Sequence, residues 1–221
     1  MKFEPPQWTE IDTVMLDMDG TLLDLRFDNY FFLELIPETY AKINSISKEE
    51  SLLIIKKLYQ EVQGTLKWYS IDYWTEKLKI DIPSLKRSVA SKISTRPNAE
   101  LLVSKLQELD KRLLLVTNAH PETLRIKAEQ SEIFNCFEQL ISSHKLELAK
   151  ENTGFWKRLK TVEPYDRNHT ILIDDSLPVL RQAKIEHVKY LWGIKTPDSK
   201  REDQISCEFP LIDDFKQCLP N

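Results

Sequence analysis

A pair of carboxylates near the start of the chain most constrains its fold. Asp17 and Asp19, within Asp17-Met18-Asp19-Gly20-Thr21-Leu22, directly follow an apolar run that is typical of a buried strand ending in a turn. Open α/β sheets bind ligands beyond the carboxyl ends of their strands, so two acidic side chains there favour a chemical role. One carboxylate can act as a nucleophile and the other can transfer a proton, if their surroundings push their pKa values apart. The alternative is an Asp-Gly turn that only ends an ordinary strand.

Apolar runs of strand length recur along the sequence. They lie at residues 13–18, 112–117, 139–143, 170–174 and 188–192, and helix-like segments separate the last four. This alternation predicts an α/β fold in which helices cover both faces of a parallel sheet.

The first two strand-like runs are separated by a segment that is too long for a loop and has helical patterns. Ser47 and Glu50 form a capping-box signature before an apolar run, and residues 28–35 and 71–78 have apolar side chains at helical spacing. Pro97 marks the return to the sheet. We therefore expect a helical domain at residues 24–95, inserted as a lid into a core formed by residues 1–23 and 96–221.

Polar residues follow the second and third strand-like runs. Thr117 and Asn118 offer a hydroxyl and an amide at the carboxyl edge of the expected sheet, where they would suit the oxygens of a phosphate. Lys150 follows the third run and could hold both a nucleophilic carboxylate and a transferring phosphoryl group. The alternatives are that Thr117 and Asn118 cap the next helix and that Lys150 is an ordinary solvated lysine.

Two adjacent acids, Asp174 and Asp175, end the fourth strand-like run. Acids at the end of an apolar strand are unfavourable unless they bind a cation or a partner. With Asp17 they supply the hard oxygen ligands that Mg²⁺ prefers. A solvated turn is the alternative.

Composition excludes several classes of function. A net charge of −4 leaves no broad basic surface for polymeric nucleic acid. Residues 1–8 lack the apolar segment of a signal peptide, and no run approaches the roughly 18 apolar residues that cross a membrane. Cys136, Cys207 and Cys218 lack metal-ligand spacing and are expected to be reduced thiols. The sequence therefore predicts a cytoplasmic protein with no nucleic-acid or membrane partner.

Taken together, these motifs resemble the haloacid dehalogenase (HAD) superfamily in identity, order and spacing, over nearly the whole chain. The resemblance implies a Rossmann-like parallel-sheet core with a small, all-helical cap domain inserted after the first motif. Members with a second aspartate in that motif, here Asp19, are mostly Mg²⁺-dependent phosphohydrolases. Residues 17–30, 65–74, 117–121 and 173–176 are similar to the bacterial GMP/IMP 5′-nucleotidases, which implies hydrolysis of purine 5′-monophosphates.

The resemblance also implies roles for individual residues. Asp17 would be the nucleophile that forms an aspartyl-phosphate and would bind Mg²⁺. Asp19 would transfer protons and bind Mg²⁺ through its main-chain carbonyl. Thr117, Asn118 and Lys150 would bind the phosphate oxygens.

The motif at the end of the fourth strand-like run, which begins with residues 173–176, departs from the family pattern at two positions. We call it the fourth motif. Asp175 aligns with the usual metal ligand, but Asp174 replaces a glycine and Val179 replaces a later acid. We expect Asp175 to be a direct ligand, and Asp174 to bind directly or through water.

Substrate choice is expected to come from the cap. Four aromatic residues, Trp68, Tyr69, Tyr73 and Trp74, lie close together there, and a purine could stack on one of them, although most could instead pack the core of the cap. Polar candidates near the hinge are Arg26, Asp28 and Asn29. His120 and His144 also follow strands, but neither is expected to be a ligand.

Three alternatives remain at this point. A phosphatase or phosphomutase for sugar phosphates or another small phosphoester would share every core residue. A catalytically inactive phosphate-binding or scaffold protein would need a lost motif residue, and none is lost. A two-component receiver domain also uses acids, a threonine and a lysine, but it is about half this length and has no cap. The sequence leaves the oligomeric state open.

Overall fold

A six-stranded, fully parallel sheet lies at the centre of the computed structural model, which describes residues 6–220. The spatial order of the strands is β3-β2-β1-β4-β5-β6. The strands are β1 (Thr13–Leu16), β2 (Arg112–Thr117), β3 (Gln139–Ser142), β4 (Thr170–Ile173), β5 (Tyr190–Ile194) and β6 (Leu211–Ile212). The first strand is central and pairs with both β2 and β4, so the parallel sheet predicted from the sequence is confirmed.

The strand ends differ slightly from the sequence prediction. The fifth strand begins at Tyr190 rather than at Val188, because the Val188 N–H donates to the Ala183 carbonyl at the end of the preceding helix. The sixth strand was not predicted, since two residues are too short to give a periodic signal. It pairs with β5 and extends the sheet beyond the five expected strands.

Helices cover both faces of the sheet. Along β1, Val14 and Leu16 face one hydrophobic core while Met15 faces the other. The first core contains residues of α7 (Ala99–Glu108) and α8 (Pro121–Ala128), and the second contains residues of α9 (Phe155–Val162) and α10 (Leu177–Ile185). Alternate residues of the central strand are thus buried on opposite sides, as in a doubly covered parallel sheet.

The segment between β1 and α7 is helical. Its helices are α1 (Arg26–Tyr30), α2 (Ile36–Asn44), α3 (Lys48–Val62), α4 (Leu66–Tyr69), α5 (Ile71–Leu78) and α6 (Ile82–Ser88), with a π-helical turn, Phe31–Leu35, between the first two. Ser47 caps α3 as predicted, because its Oγ accepts the Glu50 N–H at 3.1 Å. These helices have their own hydrophobic core, which includes Phe31 and Trp74. The division into two domains at residues 24 and 95 stays a prediction.

Two structural features bear on the predictions about membrane spans and cysteines. Within residues 6–220, no helix combines the length and the apolar character that crossing a bilayer requires. All three cysteines are free thiols. The prediction about a signal peptide concerns residues 1–8, of which residues 1–5 lie outside the described part of the chain.

Candidate active site

The carboxyl ends of the central strands bring the predicted acids together. Asp17 follows β1, and Asp174 and Asp175 follow β4, which pairs with β1 in register. One carboxylate oxygen from each of these three residues lies within 4.8 Å of the others. We call Asp17, Asp174 and Asp175 the carboxylate cluster.

Lys150 is buried at the centre of this cluster. Its Nζ donates to Asp17, to Asp174 Oδ2 at 2.7 Å and to the Val116 carbonyl at 2.9 Å. Burial alone would lower the pKa of Lys150, but the two carboxylates outweigh it and raise that pKa. The lysine is 2% exposed, so it is not a solvated side chain. One ammonium charge therefore faces three carboxylates.

The two acids of the fourth motif have different partners. Both oxygens of Asp174 are used, one by Lys150 and one by the Ser176 N–H at 2.9 Å. No described residue donates a side-chain hydrogen bond to the Asp175 carboxylate. Burial, followed by the charges of Asp17 and Asp174, raises the pKa of Asp175 well above its ordinary value. Asp175 thus has the least compensated charge of the carboxylate cluster and the oxygens most open to a cation.

Gly20 makes room for this arrangement. It has a φ of +83°, and a Cβ at this position would lie 2.5 Å from Asp175 Oδ2. Any other residue would therefore be strained and would also displace the carboxylate. The next residue, Thr21, accepts the Asp175 N–H through Oγ1 at 3.1 Å. The first motif thus positions the fourth.

Asp17 and Asp19 have similar pKa values for different reasons. Burial and the charge of Asp174 raise the pKa of Asp17 to about 6, against the opposing effect of Lys150. Burial and the charge of Asp28 raise the pKa of Asp19 to about 6, against the opposing effect of Lys127. Both carboxyl groups are therefore close to the range in which a proton can be gained or lost near neutral pH.

The predicted phosphate-binding residues border this site. Asn118 Oδ1 accepts the Lys150 N–H at 2.9 Å, and its Nδ2 donates to Glu151 Oε2 at 2.8 Å. Thr117 Oγ1 accepts the Ala119 N–H at 3.0 Å, which leaves its own hydroxyl proton free to donate. The Asn118 amide orients the Lys150 loop, and contact of either side chain with phosphate stays a prediction.

A cavity of about 310 Å³ lies between the carboxylates and the helical segment α1–α6. This volume falls within the range of small-molecule sites. Of the four predicted aromatic residues, Trp68, Tyr69 and Trp74 line the cavity, whereas Tyr73 packs against Trp74. Trp74 is fully buried and belongs to the core of the helical segment. Trp68 is half-buried and makes an edge-to-face contact with Tyr59, with ring centroids 5.2 Å apart.

Tyr69 connects the helical segment to the Lys150 loop. Its hydroxyl donates to Glu151 Oε1 at 3.0 Å, while the other oxygen of Glu151 accepts from Asn118. Burial and the charge of Glu151 raise the pKa of Tyr69, so the phenol stays protonated and can donate.

The remaining candidates are divided between cavity and surface. Asp28 and Asn29 line the cavity, but Arg26 does not, and it pairs with Glu34 at 3.1 Å with 42% of its side chain exposed. His120 and His144 lie outside the cavity lining and contact each other, with ring centroids 5.0 Å apart.

Sequence reasoning missed two buried lysines. Lys127 Nζ lies 2.5 Å from Asp19 Oδ1 and 2.6 Å from Asp28 Oδ2, and Lys86 Nζ lies 3.2 Å from Asp28 Oδ1. We call Asp19, Asp28, Lys86 and Lys127 the ion network. The available signal was a lysine on an apolar helix face, since Lys127 follows buried Leu124 by three residues and Lys86 follows buried Ile82 by four.

Comparisons with known proteins agree with the resemblance. Residues 11–180 match the haloacid dehalogenase-like hydrolase family. The GMP/IMP nucleotidase YrfG of Escherichia coli (strain K12) is 34% identical over 214 residues, which are 97% of this chain and 96% of that protein. The nucleotidase of the same name from Shigella flexneri matches to the same extent.

Solved structures have the same fold. A HAD phosphatase from Thermococcus onnurineus superposes with a TM-score of 0.74 at 17% identity, covering 91% of this chain and 93% of that one. The HAD-hydrolase YfnB from Bacillus subtilis, solved with magnesium bound, gives 0.64 at 19% identity, covering 94% and 96%. The family match extends over most of the chain. It includes residues 17–22, 117–118 and 174–176 and Lys150. The predicted phosphoric monoester hydrolase is thus confirmed as a class, and the chain belongs to the haloacid dehalogenase-like hydrolases.

Proposed function

We propose that this protein is a Mg²⁺-dependent phosphatase that hydrolyses purine nucleoside 5′-monophosphates, with Asp17 as its nucleophile. The observation that carries this proposal is the carboxylate cluster beside Lys150, at the floor of a cavity with aromatic walls. Such a floor suits an anionic phosphoryl group only if its own negative charge is compensated. The aromatic walls suit a leaving group that carries a flat aromatic ring.

The residues of the carboxylate cluster fit Mg²⁺. Three buried or half-buried carboxylates offer hard oxygen donors, and among residues 6–220 only one lysine forms ion pairs with them. Asp17 and Asp175 would bind the ion directly, while Asp174, whose oxygens are already hydrogen-bonded, would act from beside it. When bound, Mg²⁺ would neutralise the repulsion between the carboxylates and the phosphate.

Two steps account for the chemistry. An Asp17 oxygen attacks phosphorus, the bond from phosphorus to the ester oxygen breaks, and Asp19 gives its proton to the departing oxygen. Asp19 then takes a proton from a water molecule that attacks phosphorus, and the bond from phosphorus to Asp17 breaks. Lys150 stands beside Asp17 to stabilise the charge of the transferring group, with Thr117 as a second donor.

The purine preference is supported by two findings. Identity of 34% to a GMP/IMP nucleotidase extends over 97% of this chain, including the helical segment. Phe32, Tyr59 and Trp68 line the side of the cavity formed by that segment, and base stacking on an aromatic ring contributes about 1–3 kcal/mol. Trp68 is the candidate for this contact because, unlike Trp74, it is only half-buried.

Phosphate release from a substrate panel tests the proposal. The panel contains GMP, IMP, AMP and sugar phosphates, each with Mg²⁺ and with EDTA. We expect release from GMP and IMP with Mg²⁺, and a loss of at least about 10⁴-fold in Asp17→Asn, because removal of a nucleophile eliminates the covalent route. Asp12→Asn, an exposed acid just before β1, is the matched control and should keep full activity.

The other outcomes are equally specific. Release from sugar phosphates alone would keep the chemistry and reject the purine preference. Equal rates with EDTA would reject the metal. No release from any substrate, by protein that is folded, would reject the phosphatase itself.

A further inference from the structure

Lys127 is a buried charge that the proposed steps do not use. It lies on α8, in the part of the chain that forms the sheet, and it is 1% exposed. Its Nζ contacts two carboxylates, Asp19 at 2.5 Å and Asp28 at 2.6 Å. A fully buried ammonium is strongly unfavourable without such partners, so the two carboxylates are what stabilise the charge of Lys127 in the interior.

The charges of the ion network balance. When Asp19 is ionised, Asp19 and Asp28 carry two negative charges, and Lys86 and Lys127 carry two positive ones. Asp28 accepts from both lysines, and together they hold its pKa below the ordinary value although burial alone would raise it. Lys86 also lies over the rings of Phe31 and Phe32, at 4.6 and 5.0 Å from their centroids. Asp28 is therefore a fixed anchor for Lys127, and Lys127 in turn is fixed relative to Asp19.

Lys127 contacts one of the two carboxylate oxygens of Asp19. Lys127 holds Oδ1, and no described residue donates a hydrogen bond to Oδ2. The Asp19 side chain lines the cavity and is 21% exposed, so the unbonded oxygen is the one available to a leaving group. Restraining one carboxylate oxygen from the protein side limits rotation of the carboxyl group and orients the other.

We infer that Lys127 is a positioning residue, which holds the Asp19 carboxyl so that its free oxygen meets the ester oxygen of the substrate. This inference rests on the proposed function, because it assumes that Asp19 protonates the leaving group. The ion network then supports departure of the leaving group, because it orients Asp19. Lys150 instead supports the attack by Asp17.

The leaving group provides the test. A nucleoside leaves as an alkoxide that needs a proton, whereas p-nitrophenolate is stable near neutral pH and leaves without one. The ratio kcat/KM reports only the steps up to the transfer of phosphate to Asp17, so hydrolysis of the phosphoenzyme does not affect it. A merely structural contact would lower kcat/KM equally for the two substrates.

Lys127→Met removes the charge and keeps most of the side-chain volume. We expect kcat/KM to fall by about 10²-fold or more for GMP and by less than about 10-fold for p-nitrophenyl phosphate. Asp19→Asn should show the same preference for the aryl ester and calibrates it. Lys105→Met, at a lysine that pairs with Glu108 on the surface, should change neither value.

A double variant covers the case in which Lys127→Met does not fold. Lys127→Met combined with Asp28→Asn removes one charge of each sign, so Asp19 and Lys86 remain balanced. The double variant should show the same difference between the two substrates.

Two results would overturn the inference: equal losses of kcat/KM on both substrates, or no loss on either. In both cases an active wild-type protein would leave the proposed function intact. No wild-type activity, or no leaving-group preference in Asp19→Asn, would instead reject the proposed function on which the inference rests.

Discussion

Two buried lysines, each held between two aspartates, define two charged regions next to the cavity. Lys150 contacts Asp17 and Asp174, and Lys127 contacts Asp19 and Asp28. In the first region a third carboxylate, from Asp175, pairs with no lysine in the described part of the chain. In the second region another lysine, Lys86, completes the balance.

The carboxylate cluster and the ion network differ in charge balance, which indicates that they differ in function. The carboxylate cluster has three acids for one lysine, so it can take up a divalent cation and still accept a phosphoryl group. The ion network has two acids for two lysines, so it satisfies itself and needs no ion. The unbalanced region is suited to binding, and the balanced one to holding a side chain in place.

The largest expected effect that separates the two regions is on activity. Lys150→Met should lower kcat/KM by at least about 10³-fold, because it removes the positive charge beside the site of nucleophilic attack. Unlike Lys127→Met, it should lower the values for GMP and p-nitrophenyl phosphate by similar factors, since attack by Asp17 is common to both substrates. Steady-state kinetics on the two substrates measures this. A loss confined to GMP would contradict the division between the two regions.

A smaller effect, of opposite sign in the two regions, is expected on stability. Asp28→Asn should lower the free energy of unfolding by about 3 kcal/mol, because it leaves two buried lysines without their shared carboxylate. Asp175→Asn should raise it by about 1–2 kcal/mol in EDTA, because it relieves repulsion among three carboxylates.

Urea unfolding of both variants in EDTA measures these changes, and thermal unfolding with Mg²⁺ gives an internal control. Mg²⁺ should raise the Tm of the wild type and of Asp28→Asn, but it should raise that of Asp175→Asn much less. Changes of the same sign in the two variants would show that charge balance does not distinguish the regions.

The same comparison shows what the sequence can reveal. Asp17, Lys150 and Asp175 were predicted because each follows a strand-like run in a known order, and parallel strands bring their carboxyl ends to one edge. Lys127 and Lys86 lie inside helices, and their partners are set by how α1, α6 and α8 pack together. That packing depends on contacts far apart in the chain, so the sequence offered only a lysine on an apolar face.

The fold shows the same distinction. Five strands and the helical character of the segment between β1 and α7 follow from local periodicity, and the capping signature at Ser47 is confirmed. The two-residue strand β6 exists only because its backbone pairs with β5. Likewise, Arg26 has a position near the first motif in sequence, but its side chain points to a surface pair with Glu34.

The last expected effect, smaller than that of Asp28→Asn, is a pH dependence of stability that belongs to the carboxylate cluster. Burial, with the charge of Asp174, raises the pKa of Asp17 from 3.8 to about 6, so the folded protein binds a proton more readily than the unfolded chain. In EDTA, this group should therefore reduce stability progressively as the pH rises from about 4 to 6, by about 2 kcal/mol in all. Comparing wild type with Asp17→Asn isolates the contribution from that of other acids.

The two proteins should unfold with similar free energies at pH 4, and the wild type should be the less stable one at pH 7. Since about 1 kcal/mol shifts Tm by about 2–4 °C in a chain of this size, thermal unfolding across this pH range resolves the difference. Mg²⁺ at pH 7 should reverse it, because only the wild type keeps all three carboxylates. A difference that is constant with pH would mean that Lys150 already compensates Asp17 fully, and the charge imbalance would then lie with Asp175 alone.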